Sequence, residues 1–127
     1  MKAERALVGL LIFLIIILGC DSKKIAAVPE NFIGVWGTSD PTYADRTFEI
    51  TRNEIIFQTG ENTFDTYSIK SIEMEKGFPG IENDLYTINY KNKEGLKYKF
   101  FFYYNPAGQG EIRYRNQRQI AWTKKKS

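Results

Sequence analysis

Beyond residue 31 the chain is dominated by alternating apolar and polar positions, the pattern of half-buried β-strands. The clearest example has Tyr98, Phe100 and Phe102 in one phase and Lys97 and Lys99 in the other. Clusters of turn-forming residues separate such segments at a spacing of roughly 8 to 12 residues. The pattern predicts eight strands, over residues 33–38, 46–51, 54–58, 63–76, 85–90, 96–104, 111–115 and 119–123. It predicts no helix in this part of the chain.

The fourth predicted strand changes phase midway. Tyr67 and Ile69 share one phase, whereas Ile72 and Met74 share the other, so a β-bulge is expected near Lys70-Ser71. Hairpin-length connections between successive strands favour an up-and-down meander, and about eight antiparallel strands can close into a small barrel without exposed edges. The predicted fold class is therefore all-β, a small antiparallel up-and-down barrel.

The N-terminus has the pattern of a secretory signal peptide. A short basic start precedes Leu7–Leu18, an apolar run of 12 residues. As a helix this run would measure about 18 Å, too short for the ~30 Å hydrocarbon core of a bilayer. We therefore expect residues 1–19 to be a signal peptide rather than a permanent membrane span.

The end of this segment suggests a lipid anchor. The sequence Ile17-Leu18-Gly19-Cys20 resembles the bacterial lipobox, in which a small residue precedes a cysteine. The resemblance implies diacylglycerol on the Cys20 sulfur, cleavage after Gly19 and acylation, for example with palmitate, of the new amino terminus. Asp21 resembles an inner-membrane retention signal, which favours the periplasmic face of the inner membrane over the outer membrane. The predicted organisation is then a lipidated cysteine and tether over residues 20–30, a barrel domain over 31–123 and a basic tail over 124–127.

The start of the first predicted strand points to a fold family. Gly34-Val35-Trp36 resembles the Gly-x-Trp signature of lipocalin-like (calycin) barrels. The resemblance implies that Trp36 closes one end of the barrel, that Gly34 allows close backbone approach there, and that an arginine from the last strands packs across the indole. Arg118 is the preferred arginine and Arg115 the alternative.

Composition narrows the function classes. The chain has no histidine and one cysteine, which excludes Ser-His and Cys-His catalytic pairs, His-ligated zinc or haem, and an intrachain disulfide. Lys plus Arg number 18 and Asp plus Glu 15, and a net charge of +3 is too weak to indicate nucleic-acid binding. We expect a protein that is not an enzyme and that uses no cofactor, metal or nucleic acid.

The densest polar segment is the connection between the first two predicted strands, residues 38–46. In a barrel it would lie at the mouth, where binding groups are common. Asp40 and Asp45 could hold a cation or a ligand amine, Arg46 a carboxylate or phosphate, and Tyr43 is a further candidate. The alternative is an Asp-Pro turn whose charged residues make local hydrogen bonds.

The predicted function is a membrane-anchored, non-enzymatic barrel that binds a small apolar or amphipathic ligand or an envelope component. The alternative is a protein-interaction or inhibitor module of the cell envelope, acting through the 38–46 loop or the outward face of Phe101 and Tyr103. The content of the barrel interior distinguishes ligand binding from surface recognition. Filling by Phe48, Tyr98, Phe100 and Phe102 favours surface recognition, whereas an open apolar cavity of roughly 300 Å³ or more favours ligand binding.

Overall fold

A computed structural model of the chain describes residues 22–126. The predicted signal peptide, Cys20 and Asp21 lie outside the described residues. Within them, no helix has the length and apolar character needed to cross a membrane. The described residues form nine strands: β1 (Lys23–Ile25), β2 (Gly34–Gly37), β3 (Thr47–Ile50), β4 (Glu54–Gln58), β5 (Phe64–Glu75), β6 (Leu85–Lys91), β7 (Lys97–Asn105), β8 (Glu111–Tyr114) and β9 (Gln117–Lys124). A 3₁₀ turn, Glu30–Phe32, lies between β1 and β2.

Strands β2 to β9 form a closed antiparallel barrel. Each pairs with the next along the chain, and β9 pairs back with β2 through Trp36 opposite Lys124 and Gly37 opposite Thr123. The prediction of an all-β, eight-strand up-and-down barrel is confirmed. The predicted bulge is also present, since the register between β5 and β6 shifts between Ile69 and Ser71.

The folded region extends further than its predicted boundaries at both ends. Residues 23–25, expected in a tether, form β1 opposite the second half of β5, with Ile25 opposite Ile72. This part of β5 runs past the end of β4, so β1 supplies hydrogen-bond partners to an edge that would otherwise be unpaired. Lys124, expected in the basic tail, is the last residue of β9, and the Lys125 amide donates to the Val35 carbonyl oxygen at 2.8 Å.

The alternating strands direct aromatic side chains into the barrel. Phe48 lies at the centre, with its ring centroid 5.5 Å from Phe100 and 5.3 Å from Trp122. Phe32, on the 3₁₀ turn, is buried against the rings of Tyr86, Phe102 and Tyr104 and fills one end of the interior. We call this the closed end; it carries the connections 51–53, 76–84 and 106–110. The opposite, open end carries the connections 38–46, 59–63, 92–96 and 115–116.

Candidate functional site

Trp36 anchors the closed end. Its indole is fully buried, and its Nε1–H donates to the Phe32 carbonyl oxygen at 2.9 Å, which fixes the 3₁₀ turn against the barrel. Gly34 has a φ of +146°, a conformation that disfavours any side chain. The structure places Gly34 at the start of β2 and Trp36 in the buried core opposite Phe48, and the end-closing role of the two residues stays a prediction.

Arg118 does not pack on Trp36. Its guanidinium lies 4.3 Å from the centre of the Tyr103 ring on the outer wall, and the Nζ atom of Lys124 lies 5.6 Å from the centre of the Trp36 ring instead. The alternative, Arg115, stacks on Phe101 at 3.8 Å. The expectation for Arg118 fails because the register between β8 and β9 shifts between Ile112 and Tyr114, and this shift turns Arg118 outward.

The barrel wall has a gap near the open end. Strand β8 ends at Tyr114, opposite Phe102, so residues 97–101 of β7 have no strand beside them on that edge within the described chain. A single backbone bond, from the Arg115 amide to the Phe101 carbonyl oxygen at 3.1 Å, continues the pairing. The gap leads into a recess of about 360 Å³, lined by Phe57, Tyr90, Lys99, Phe100, Phe101, Tyr114, Arg115 and Asn116.

Aromatic rings from four strands form the floor of this recess. The Phe57 centroid is 5.9 Å from Tyr90 and 5.8 Å from Phe100, which in turn is 5.0 Å from Tyr114. Burial raises the pKa of Tyr90 to about 12 and also raises the pKa of Tyr114. Both phenols therefore stay neutral at physiological pH, and the floor is an apolar surface with hydroxyl groups but no charge.

The rim of the recess is cationic. Lys99 and Arg115 both line it, and neither forms an ion pair with any residue between 22 and 126. The guanidinium of Arg115 is held over the Phe101 ring, which orients it without neutralising it. An apolar floor beside two unneutralised cations suits a ligand with an apolar body and a negative group.

Positive charge continues from the rim onto the outer wall of β5, β6 and β7. There a groove of about 520 Å³ is lined by Lys70, Ser71, Asn89, Tyr90, Lys91, Lys97, Tyr98 and Lys99. Lys91 and Lys97 stand directly opposite each other, an arrangement in which like charges repel. At the floor the Asn89 amide donates to the Ser71 hydroxyl oxygen at 3.0 Å.

The polar residues predicted in the 38–46 loop make mostly local contacts. Asp40 accepts a hydrogen bond from the Thr42 amide at 2.9 Å, and Asp45 lies 3.9 Å from Arg46 in an exposed pair. Tyr43 instead reaches the interior, where its ring lies 6.0 Å from Trp122 and its hydroxyl accepts from Gln117 at 3.0 Å. None of the four candidates lines the recess.

The interior is thus divided between a filled part and an accessible part. Phe48, Phe100 and Phe102 are buried in the core, whereas Tyr98, expected to help fill it, is 39% exposed at the open end. Among the described residues, the recess of about 360 Å³ at the open end is larger than the roughly 300 Å³ expected of a ligand cavity, and charged as well as aromatic side chains line it. The buried Nε1–H of Trp122 has no hydrogen-bond partner within residues 22–126, and its ring stacks on Tyr114 with centroids 5.2 Å apart.

No group of three or more Asp, Glu, Cys or His side chains among the described residues is arranged to hold a metal ion. Comparison with protein families, curated proteins and solved structures finds no match for this chain. The structure itself establishes a small β-barrel that is compatible with ligand binding.

Proposed function

We propose that this protein is a lipid-anchored, non-enzymatic binding protein that takes a small amphipathic anion at the open end of its barrel. The observation that supports this best is the recess of about 360 Å³, in which partly buried aromatic rings meet the cations of Lys99 and Arg115, which have no ion-pair partner within residues 22–126. Its volume lies at the lower end of the range of about 300–1,000 Å³ typical of small-molecule sites. The ligand is accordingly small, with one apolar or aromatic part.

The two parts of the site have separate roles in this proposal. The rings of Phe57, Tyr90 and Phe100 cover the apolar part of the ligand, whose removal from water drives binding. Arg115 and Lys99 fix its orientation by charge-assisted hydrogen bonds to a carboxylate or phosphate group. Binding of this kind needs no catalytic group, cofactor or metal.

The proposed location follows from the lipobox. Acylation of Cys20 anchors the barrel to a bilayer, and Asp21 assigns it to the periplasmic face of the inner membrane. Two or more acyl chains hold a protein at a membrane where a single chain exchanges. Replacing Cys20 with serine should release the protein into the soluble fraction, and continued membrane association would contradict the anchor.

The binding proposal is tested by titrating the protein with dodecyl phosphate below its micelle concentration. We expect Arg115→Gln and Lys99→Gln each to weaken binding roughly tenfold, since a charged hydrogen bond contributes about 1.5–3 kcal/mol. Arg52→Gln is the matched control, because Arg52 pairs with Glu30 at 2.7 Å at the closed end. Equal binding of dodecyltrimethylammonium, or unchanged affinity in both rim variants, would contradict the proposal.

Native mass spectrometry of the acylated protein from its own membrane would identify what it carries. A small anionic adduct that Arg115→Gln removes supports the binding protein. A bound protein lost on replacing the exposed residues Asp45 and Arg46 would instead favour the second candidate function, recognition of an envelope protein through the 38–46 loop.

A further inference from the structure

The closed end of the barrel carries two exposed apolar side chains in a single connection, residues 76–84 between β5 and β6. Phe78 is 73% exposed and Ile81 is 84% exposed. We propose that this loop is a membrane-insertion loop, which places Phe78 and Ile81 in the interface of the bilayer that holds the lipid anchor. The proposal rests on acylation of Cys20, as proposed above.

The path of the chain brings the anchor to this loop. Lys23 is opposite Met74, so β1 begins beside the end of β5, and only Glu75 lies between Met74 and the loop. Neighbouring strands lie about 4.8 Å apart. Three residue steps separate Cys20 from Lys23, a span of at most about 11 Å. A bilayer that holds the lipid chains of Cys20 therefore lies within reach of the closed end.

Exposure alone does not select this end. The open end also has exposed apolar side chains, Phe64 at 56%, Leu96 at 59% and Tyr98 at 39%. They lie on the far side of the barrel from the start of β1, because β5 runs from Phe64 at the open end to Glu75 at the closed end. The position of the N-terminal segment therefore decides which set faces the lipid.

The loop backbone is organised to present these side chains. The amides of Ile81 and Glu82 both donate to the Phe78 carbonyl oxygen, at 3.0 and 2.9 Å, and Gly80 turns the chain with a φ of +75°. The Gly77 amide donates to the Asp84 carboxylate at 3.1 Å. Phe78 and Ile81 are consequently held out from the barrel by a closed turn.

The charges of the loop are compatible with an interface. The guanidinium of Arg118 lies 3.7 Å from the Glu82 carboxylate and so offsets its negative charge. The Asp84 carboxylate accepts a hydrogen bond from the Gly77 amide. Glu75 is exposed at the end of β5, and Lys76 follows it directly. Lys23 and Lys76 both lie at this end, where each can approach anionic headgroups.

A depth measurement on the full acylated protein tests the orientation. Because Cys20 carries the lipid, Ile81→Cys introduces the single free thiol, which is labelled with an environment-sensitive nitrobenzoxadiazole dye. Leu96→Cys, at the open end, is the matched control. Both proteins are reconstituted into vesicles of phosphatidylcholine and phosphatidylglycerol that contain lipids with a quenching nitroxide just below the headgroup.

We expect the dye at position 81 to be quenched at least threefold more strongly than the dye at position 96, and its emission to shift to the blue on vesicle binding. Replacing Phe78 with serine in the Ile81→Cys protein should reduce the quenching without releasing the protein from vesicles. Equal quenching at the two positions, or none at position 81, would overturn the proposal. A protein that fails to float with vesicles would also overturn it, and the mass of the N-terminal peptide would then assign the failure to the anchor.

Discussion

The two tryptophans provide a matched test of the interior hydrogen bonding. Both are buried, Trp36 at 0% and Trp122 at 3% exposure. The Nε1–H of Trp36 donates to the Phe32 carbonyl oxygen, whereas that of Trp122 has no partner within residues 22–126. Replacement by phenylalanine removes the same atoms at both sites, so the two variants compare loss of a bonded donor with loss of an unpaired one.

Trp36→Phe leaves a buried carbonyl oxygen without its donor, which costs about 1–3 kcal/mol in addition to lost packing. Trp122→Phe removes a buried, unpaired donor, and the relief of a similar desolvation penalty offsets part of its lost packing. We expect Trp36→Phe to be the more destabilising variant by roughly 2–4 kcal/mol. For a domain of this size that corresponds to a difference in melting midpoint of at least about 8 °C.

The measurement is urea unfolding of the chain from Asp21 onward, followed by far-ultraviolet circular dichroism, since tryptophan fluorescence differs between the variants. Equal slopes against urea would show that both variants unfold from comparably compact states. Equal destabilisation of the two, or a larger loss in Trp122→Phe, would refute the assigned hydrogen bonding.

Three further predictions concern single positions. Gly34→Ala should lower the free energy of unfolding by about 1–3 kcal/mol, because a φ of +146° strains any residue with a side chain. Gly37 has no positive φ, so Gly37→Ala should lower the free energy of unfolding by less. Equal losses in the two variants would contradict the strain at Gly34. Burial raises the pKa of Tyr90 in the folded state to about 12, above its unfolded value of 10.0, so the stability that it contributes is complete below pH 10 and is lost as pH rises towards 12. Tyr90→Phe should flatten this alkaline loss of stability when unfolding is measured against pH. An unchanged slope would argue against the raised pKa. Lys97→Glu should raise the free energy of unfolding by about 0.2–1 kcal/mol, because it turns the repulsion between residue 97 and Lys91 into an attraction. In a melting assay, high salt should reduce this gain.

The strands and their order could be predicted from the sequence because their signal is local. Alternation over the aromatic segments fixes which side chains face inward, and turn residues fix where strands end. The bulge after Ile69 was predictable for the same reason, since a phase change in the pattern has a direct structural meaning.

What the sequence did not disclose depends on contacts between distant segments. Strand β1 has only three residues, too few for a pattern of alternating apolar and polar positions. It forms because β5 extends beyond the end of β4 and leaves an edge for β1 to pair with. The side of the wall on which Arg118 lies depends on a register shift between two strands rather than on its own neighbours. The recess depends on where β8 ends relative to β7. No local signal relates the lengths of two paired strands, so Tyr90, Lys99 and Arg115 were not grouped in advance.

The difference in length between β7 and β8 also gives a structural reason for Lys97 and Lys99. Within residues 22–126, residues 97–100 of β7 have no strand beside them on one edge, which exposes unpaired backbone groups to other chains. Lys97 and Lys99 lie on this edge, and charged side chains of this type disfavour edge-to-edge pairing. The same positive charge lies beside the aromatic recess, so the residues that protect the edge are also those that would attract an anion. A fully paired β7 would remove the aggregation risk and the entrance to the recess together, which is why we regard the short β8 as the structural basis of the proposed site.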